Sequence, residues 1–345
     1  MNSNERFHAT IDRKPVDRPA SWLGVPDKHA LPGLFRYFHV DSVNALKAKL
    51  NDDVYHFELP YDAPNAKAIE IALNFAKDHA ITSNEARTLS LPGIFEDAET
   101  EADFDRFDWP DPTRYVSPER CRAAVAAAPE GKAVMGVLWS AHFQDACAAF
   151  GMENAFVKML TEPELFRALN ERIVDFYMSA NRILYEAAGD KIDAILIGND
   201  YGSQLGPMVS PAILREFVLP STKRLVDQAK SYGLKVIHHS CGSVAEIIPD
   251  LIAIGVDAVH PIQAQANGME PRSLKARFGT QVSFCGGVDA QYLMVQGQPS
   301  EVTAKVRELR SIFPTGLILS PSHEAILVDT KPENIEALFA AANEK

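Results

Sequence analysis

His239-Ser240-Cys241 places an imidazole and a thiol two residues apart, directly after the apolar run Leu234-Lys235-Val236-Ile237. On an extended backbone, residues i and i+2 point to the same side, so both groups aim at one point in space. A convergent imidazole and thiolate form half of a zinc site. Two further candidate ligands follow short apolar runs in the same manner. They are Cys285, in Ser283-Phe284-Cys285-Gly286-Gly287, and His323, in Ser320-Pro321-Ser322-His323-Glu324. Thiolate plus imidazole selects zinc, whereas magnesium or calcium would call for an oxygen cage. His239, Cys241 and one of Cys285 or His323 supply three protein ligands and leave the fourth position open, as a catalytic zinc requires. If both join, the site is closed until substrate displaces one. The bland reading is a zinc that only staples loops, which a chain of this size does not need.

The elements that must position these groups alternate. Strand-like runs at 20–24, 54–59, 133–138, 194–198, 235–238, 258–261, 282–284 and 317–319 are separated by helical patterns such as 164–188, 211–232, 244–254, 300–312 and 332–342. Eight strands, each apolar on both faces, predict a parallel sheet covered all round, and the count favours a closed (β/α)8 TIM barrel. No G-x-G-x-x-G follows a first strand, which disfavours a dinucleotide-binding sheet. The acidic, proline-containing stretch 61–118 breaks the alternation and is read as an insertion after the second strand, a lid or extra hairpin within one 1–345 domain.

In such a barrel, catalytic groups come from the C-terminal ends of different strands. The fourth strand delivers Asp200 and Tyr201, and the sixth delivers His260 and Gln263. Asp200, Tyr201 and Gln263 are therefore the candidate catalytic groups acting beside the metal. Asp200 has a competing role as a helix cap. His238 alternates away from His239 into packing, His260 reads as a structural histidine, and Asp289 reads as a cap for the segment starting at Ala290.

Net charge −12 argues against nucleic acid and anionic lipid, since binding phosphates needs a basic surface. The four cysteines are too few and too scattered for a disulfide framework. Cys121 and Cys147 fall in alanine-rich helical patterns and read as packing thiols. With no signal-like start and no run of 18 apolar residues, the sequence points to a cytoplasmic protein.

Several segments resemble the uroporphyrinogen decarboxylase superfamily over nearly the whole chain. They begin at Glu5-Arg6-Phe7 and Lys14-Pro15-Val16-Asp17-Arg18-Pro19 and continue through Gly206-Pro207 and Ser210-Pro211. They then run through His239-Ser240-Cys241-Gly242-Ser243, Gly255-Val256-Asp257, Gly286-Gly287-Val288-Asp289 and Leu319-Ser320-Pro321-Ser322-His323, closing at Asp329-Thr330 and Pro332-Glu333-Asn334-Ile335. The resemblance implies a (β/α)8 barrel. True decarboxylases of the superfamily carry an arginine-rich segment after the first strand, whereas no arginine stands here between Arg18 and Arg36. A porphyrin's many carboxylates would be left uncompensated. The chain is more similar to the zinc-dependent, cobalamin-linked methyltransferase branch, whose H-x-C pair His239-Ser240-Cys241 matches. That branch places its last cysteine after strand eight, where this chain has His323, and here a cysteine falls after strand seven instead, at Cys285. No D-x-H-x-x-G corrinoid signature is present, so the resemblance implies a corrinoid carried by a separate partner protein and a small-molecule methyl donor or acceptor. A decarboxylase or lyase acting on a small carboxylate is the alternative, and a ligand-binding barrel without catalysis is a third reading. Oligomeric state is left open by the sequence.

Overall fold

The computed structural model describes residues 1–77 and 91–344. Seven parallel strands form one curled sheet in sequential order. They are β2 (Val54–Glu58), β3 (Ala133–Trp139), β4 (Ala194–Gly198), β5 (Lys235–His239), β6 (Ala258–Ile262), β7 (Ser283–Val288) and β8 (Leu317–Pro321). A short parallel pair, β1 (Val25–Pro26) and β9 (Ala325–Ile326), lies beyond the ends of the sheet. β3 through β8 are almost wholly buried, as strands covered by helices on the outside and side chains on the inside must be.

The segment 20–23 occupies the first strand position but forms only an isolated bridge, Ser21 to Leu319. On one side Trp22 N donates to Leu319 O at 2.9 Å and Leu319 N to Ala20 O at 2.8 Å; on the other, Asp53 N donates to Ser21 O at 3.1 Å. The ladder to β2 is interrupted because carboxylates take its donors: Ser21 N donates to Asp53 and Leu23 N to Asp52, each at 3.0 Å. Arg6 and Arg18 neutralise Asp53, and Lys47 neutralises Asp52. The barrel is closed here by charged side chains as much as by backbone. This is why a stretch that reads as a strand is not a regular one.

Helix Ser3–Ile11 covers the N-terminal end of the barrel. Asn2 caps it with a full capping box to Glu5. Phe7 and Ile11 from this helix join Trp22, Val54, Met135, Leu196, Ile237, Cys285 and Ile318 in an apolar plug that fills the interior. The helices outside follow the predicted periodicity: Pro163–Ala188, Pro299–Ile312 and Pro332–Ala342 lie within a residue of expectation. The stretch 211–232 is continuous but changes winding, with a π-helical turn over Leu214–Val218 before Leu219–Ser231. Cys121 and Cys147 are buried in helices.

The described parts of 61–118 pack outside the strand ring. Tyr61 bridges Val116 at the base of the excursion. Phe75, Phe95, Phe104, Phe107 and Trp109 form an aromatic cluster that reaches Phe150. Residues 78–90, inside this predicted insertion, lie outside the described residues.

Candidate metal centre at the barrel mouth

The C-terminal end of β5 presents His239 and Cys241 on one side, as the i, i+2 spacing predicts, with Cys241 Sγ 3.5 Å from His239 Nε2. Gly198 lets the end of β4 approach His239 closely, since a Cβ there would lie 2.4 Å from His239 O and 2.5 Å from its Cβ. Gly242, at φ +80°, lets the loops after β4 and β5 pack backbone on backbone.

Asp200 completes a triple. Its Oδ1 is 3.3 Å from His239 Nε2 and accepts the Cys241 backbone N–H at 2.9 Å. Gln144 holds the same residue on its far side, donating to Oδ2 at 3.3 Å and accepting from Asp200 N at 3.2 Å. The ligand atoms of Asp200, His239 and Cys241 all lie within 4.8 Å of one another. Tetrahedral zinc with the usual bond lengths separates a sulfur and a nitrogen donor by about 3.5 Å, and a nitrogen and an oxygen donor by about 3.3 Å. The two measured separations match both, so the residues fit the ion.

A second group stands behind the first. His239 Nδ1 lies 2.8 Å from His260 Nδ1 and 3.4 Å from Glu324 Oε2. The latter contact lacks hydrogen-bond geometry, and Glu324 Oε2 and His260 Nε2 are buried without hydrogen-bond partners. His323 reaches the Cys241 sulfur from across the mouth, while its Nδ1 accepts the Ala325 N–H at 3.0 Å. The ring of Trp139 stands edge-on to His239 at 5.3 Å. Trp139 and Ser140 both have φ above +50°, a strained pair beside the site.

Charge is unevenly held. Burial opposes protonation of His239, but Glu324, Cys241 and Asp200 around it push its pKa well above the usual imidazole range. Burial likewise opposes ionisation of Asp200, yet His239 and the Cys241 N–H bring its pKa down to about 2. Cys241 is pulled below the ordinary thiol range, against burial, chiefly by His239 and then by His323. These anions thus depend on protons on neighbouring histidines for neutralisation, the role a divalent cation fills in a loaded site.

The structure does not bring every predicted site residue here. Cys285 is the third residue of β7, fully buried in the apolar plug beside Ser320, and joins neither ligand group; burial pushes its thiol well up. A side chain at that height in a strand faces the packed interior rather than the mouth, which corrects the expectation that it could complete the metal site. Tyr201 is also withdrawn. Its hydroxyl is 2.9 Å from Thr222 and its ring stacks on His238 at 5.3 Å, fully buried, so it braces the β4 loop instead of facing substrate. Gln263 does line the mouth, and its Oε1 accepts the Gly242 N–H at 2.7 Å. Asp289 caps the turn after β7, accepting from the backbones of Gln291, Tyr292 and Leu293. His238 packs inward as expected.

His260 faces the site rather than serving packing alone. Glu324 and Gln144 went unassigned in the sequence. The signal for Glu324 was its place next to His323. Extended neighbours point apart, but the turn from β8 into β9 brings both toward His239. Gln144 lies in a helix start after β3 and gave no local signal.

Above Cys241 and His323 opens a cavity of about 700 Å³, within the usual size for a small-molecule site. Val295, Ala290, Ala325 and Leu327 form its apolar wall.

Residues 85–345 match the uroporphyrinogen decarboxylase (URO-D) family, and the chain belongs to it. Among solved structures it is similar to a methyltransferase from Methanosarcina mazei. The two are 17% identical over 99% of this chain and 98% of that one, with a TM-score of 0.69. A structure described as a vitamin-B12-independent methionine synthase from Listeria monocytogenes aligns over 95% of this chain and 97% of its own. Its identity is 11% and its TM-score 0.45. No curated protein matches the chain. The likeness to the archaeal methyltransferase is one of fold and agrees with the barrel built above. Among the described residues, no helix is long and apolar enough to cross a membrane.

Proposed function

We propose that this chain is a zinc-dependent methyltransferase that moves a methyl group between a small molecule and a corrinoid carried by a separate protein. The observation that carries the reading is the donor set Asp200, His239 and Cys241 at the barrel mouth, spaced as tetrahedral zinc requires. His323, at the rim near Cys241, stands outside that donor set, which leaves the fourth position open for substrate. Zinc, when bound, lowers the pKa of a thiol or hydroxyl and polarises the heteroatom of a methylated substrate.

The chain's own residues set the geometry. His260, against the other ring nitrogen of His239, fixes the orientation of that imidazole. Gln144 holds Asp200, and Asp200 in turn holds the Cys241 backbone, which keeps the carboxylate beside the thiol. Gln263 locks the turn at Gly242, at the edge of the cavity. The apolar plug beneath closes the floor of the site and keeps water from reaching a methyl group from below. The cavity opens at the mouth, where a corrinoid on a partner would have to approach.

The test is to purify the protein, quantify its metal, and follow demethylation of methylcobalamin in the presence of candidate thiols and amines. Activity that tracks zinc content supports the reading; full activity in metal-free protein overturns it. A second reading, a lyase acting on a small carboxylate, draws on the family and on the ionised Asp200 at the mouth. It requires Asp200→Asn to abolish turnover while zinc is retained.

A further inference from the structure

Charge distinguishes the substrates that a cavity of this size could admit. The described lining carries amides and hydroxyls, from Gln204, Gln263, Gln291, Ser203 and Thr330, and one carboxylate, Asp329. It contains no lysine or arginine. Below the cavity lie two more carboxylates, Asp200 and Glu324, and the thiol of Cys241. The imidazoles of the site, His239 and His323, both stand beside Glu324, whose Oε2 is 3.4 Å from the first and 3.6 Å from the second. Lys331, the cation next in sequence to the lining, is turned toward the carbonyls of Gln296 and Gly297.

An anionic substrate entering here would meet no lysine or arginine among the described lining residues, and would lie beside Asp329. Sulfonates, phosphates and carboxylates are normally gripped by arginine or lysine forks. Side-chain amides and a carboxylate at a mouth with an apolar wall instead suit an alkylammonium, whose methyl or methylene groups can rest on Val295 and Leu327. From this geometry we propose that the substrate side of the cavity takes a small cation, an amine or quaternary ammonium compound, and discriminates against anionic molecules of the same size. The proposal rests on the methyltransferase reading for its chemistry but not for its binding preference.

Two probe sets separate those questions on the zinc-loaded protein. The first compares cysteamine, 2-mercaptoethanol and 2-mercaptoethanesulfonate by calorimetry; the second compares trimethylammonium with methanesulfonate. The cation of each set is expected to bind about tenfold more tightly than the anion, the size of one unit-charge interaction at a partly exposed site. Asp329→Asn should lower the affinity of the cations about three- to fivefold, leave the neutral thiol unchanged and leave zinc content intact. The inference is overturned if the anions bind as tightly as the cations, if no cation binds, or if the charge preference survives unchanged in Asp329→Asn. Preference for the ammonium without any thiol binding leaves the charge selection standing and counts against the zinc-thiol chemistry. Thiol binding without charge preference does the reverse.

Discussion

Replacing Asp200 by asparagine tests the metal centre with the least structural damage. Asparagine keeps an oxygen to accept the Cys241 N–H, which Asp200 now accepts at 2.9 Å, and gives up only the acceptor that faces the Gln144 amide. What it removes is one negative charge 3.3 Å from His239 Nε2. At an effective dielectric constant of about 20, unit charges roughly 3 Å apart interact by about 5 kcal/mol. The Asp200 side chain is 36% exposed, and screening at that exposure reduces the effect to about 1–3 kcal/mol. Zinc affinity should therefore fall by about 10- to 100-fold. Competition against a chromogenic chelator measures it, with circular dichroism to confirm folding. A folded Asp200→Asn protein that binds zinc within twofold of the parent would remove Asp200 from the centre. Loss of turnover in that same protein would favour the lyase reading.

The other expectations concern the remaining ligands, the closure of the barrel and acid stability. His239→Ala and Cys241→Ala should each lose zinc while staying folded, whereas Cys285→Ser should keep it, and elemental analysis of the three decides whether Cys241 or Cys285 supplies the sulfur donor. Asp53→Ala leaves the buried Arg18 without its carboxylate partner, while Arg6 keeps Asp17, a change that costs about 3–5 kcal/mol. With an unfolding entropy of roughly 2 cal/mol/K per residue over 345 residues, that is a fall in Tm of about 4–7 °C, and an unchanged melting curve would contradict the closure described here. His142 is buried between Asn170 and Thr222, and burial holds its pKa down to about 4, against the hydrogen bond that Asn170 Oδ1 accepts from it. Because the unfolded chain takes up this proton first, near pH 6.5, the stability from neutral His142 is complete above that pH. It is lost as pH falls toward 4, about 3 kcal/mol in all. Urea midpoints of the parent and of His142→Gln should therefore converge between pH 7 and 4, and parallel pH profiles would refute the assignment.

The sequence alone determined the parts of this protein that depend on local periodicity. Runs apolar on both faces placed β2 to β8 to within a few residues, and the two-residue repeat of an extended chain put His239 and Cys241 on one side of β5. The tertiary structure decided what depends on height and on partners far away in the chain. Cys285 and His323 both follow apolar runs, but one is inside the barrel wall and the other is at the rim, because what counts is the residue's level within its strand relative to the mouth. Asp200 and Tyr201 are neighbours that face opposite ways, and only the packing of Tyr201 on His238 and Thr222 fixes which of them meets His239 and Cys241. Glu324, His260 and Gln144 come to the centre from other strands or helices, and no spacing along the chain encodes that meeting. The 20–23 segment was legible as a strand by its composition, yet Asp52 and Asp53 claim the donors that a regular ladder would have used. Hydrophobic alternation is a property of each segment by itself. A ligand set is a property of where several segments end against one another, and that is settled only when the barrel closes.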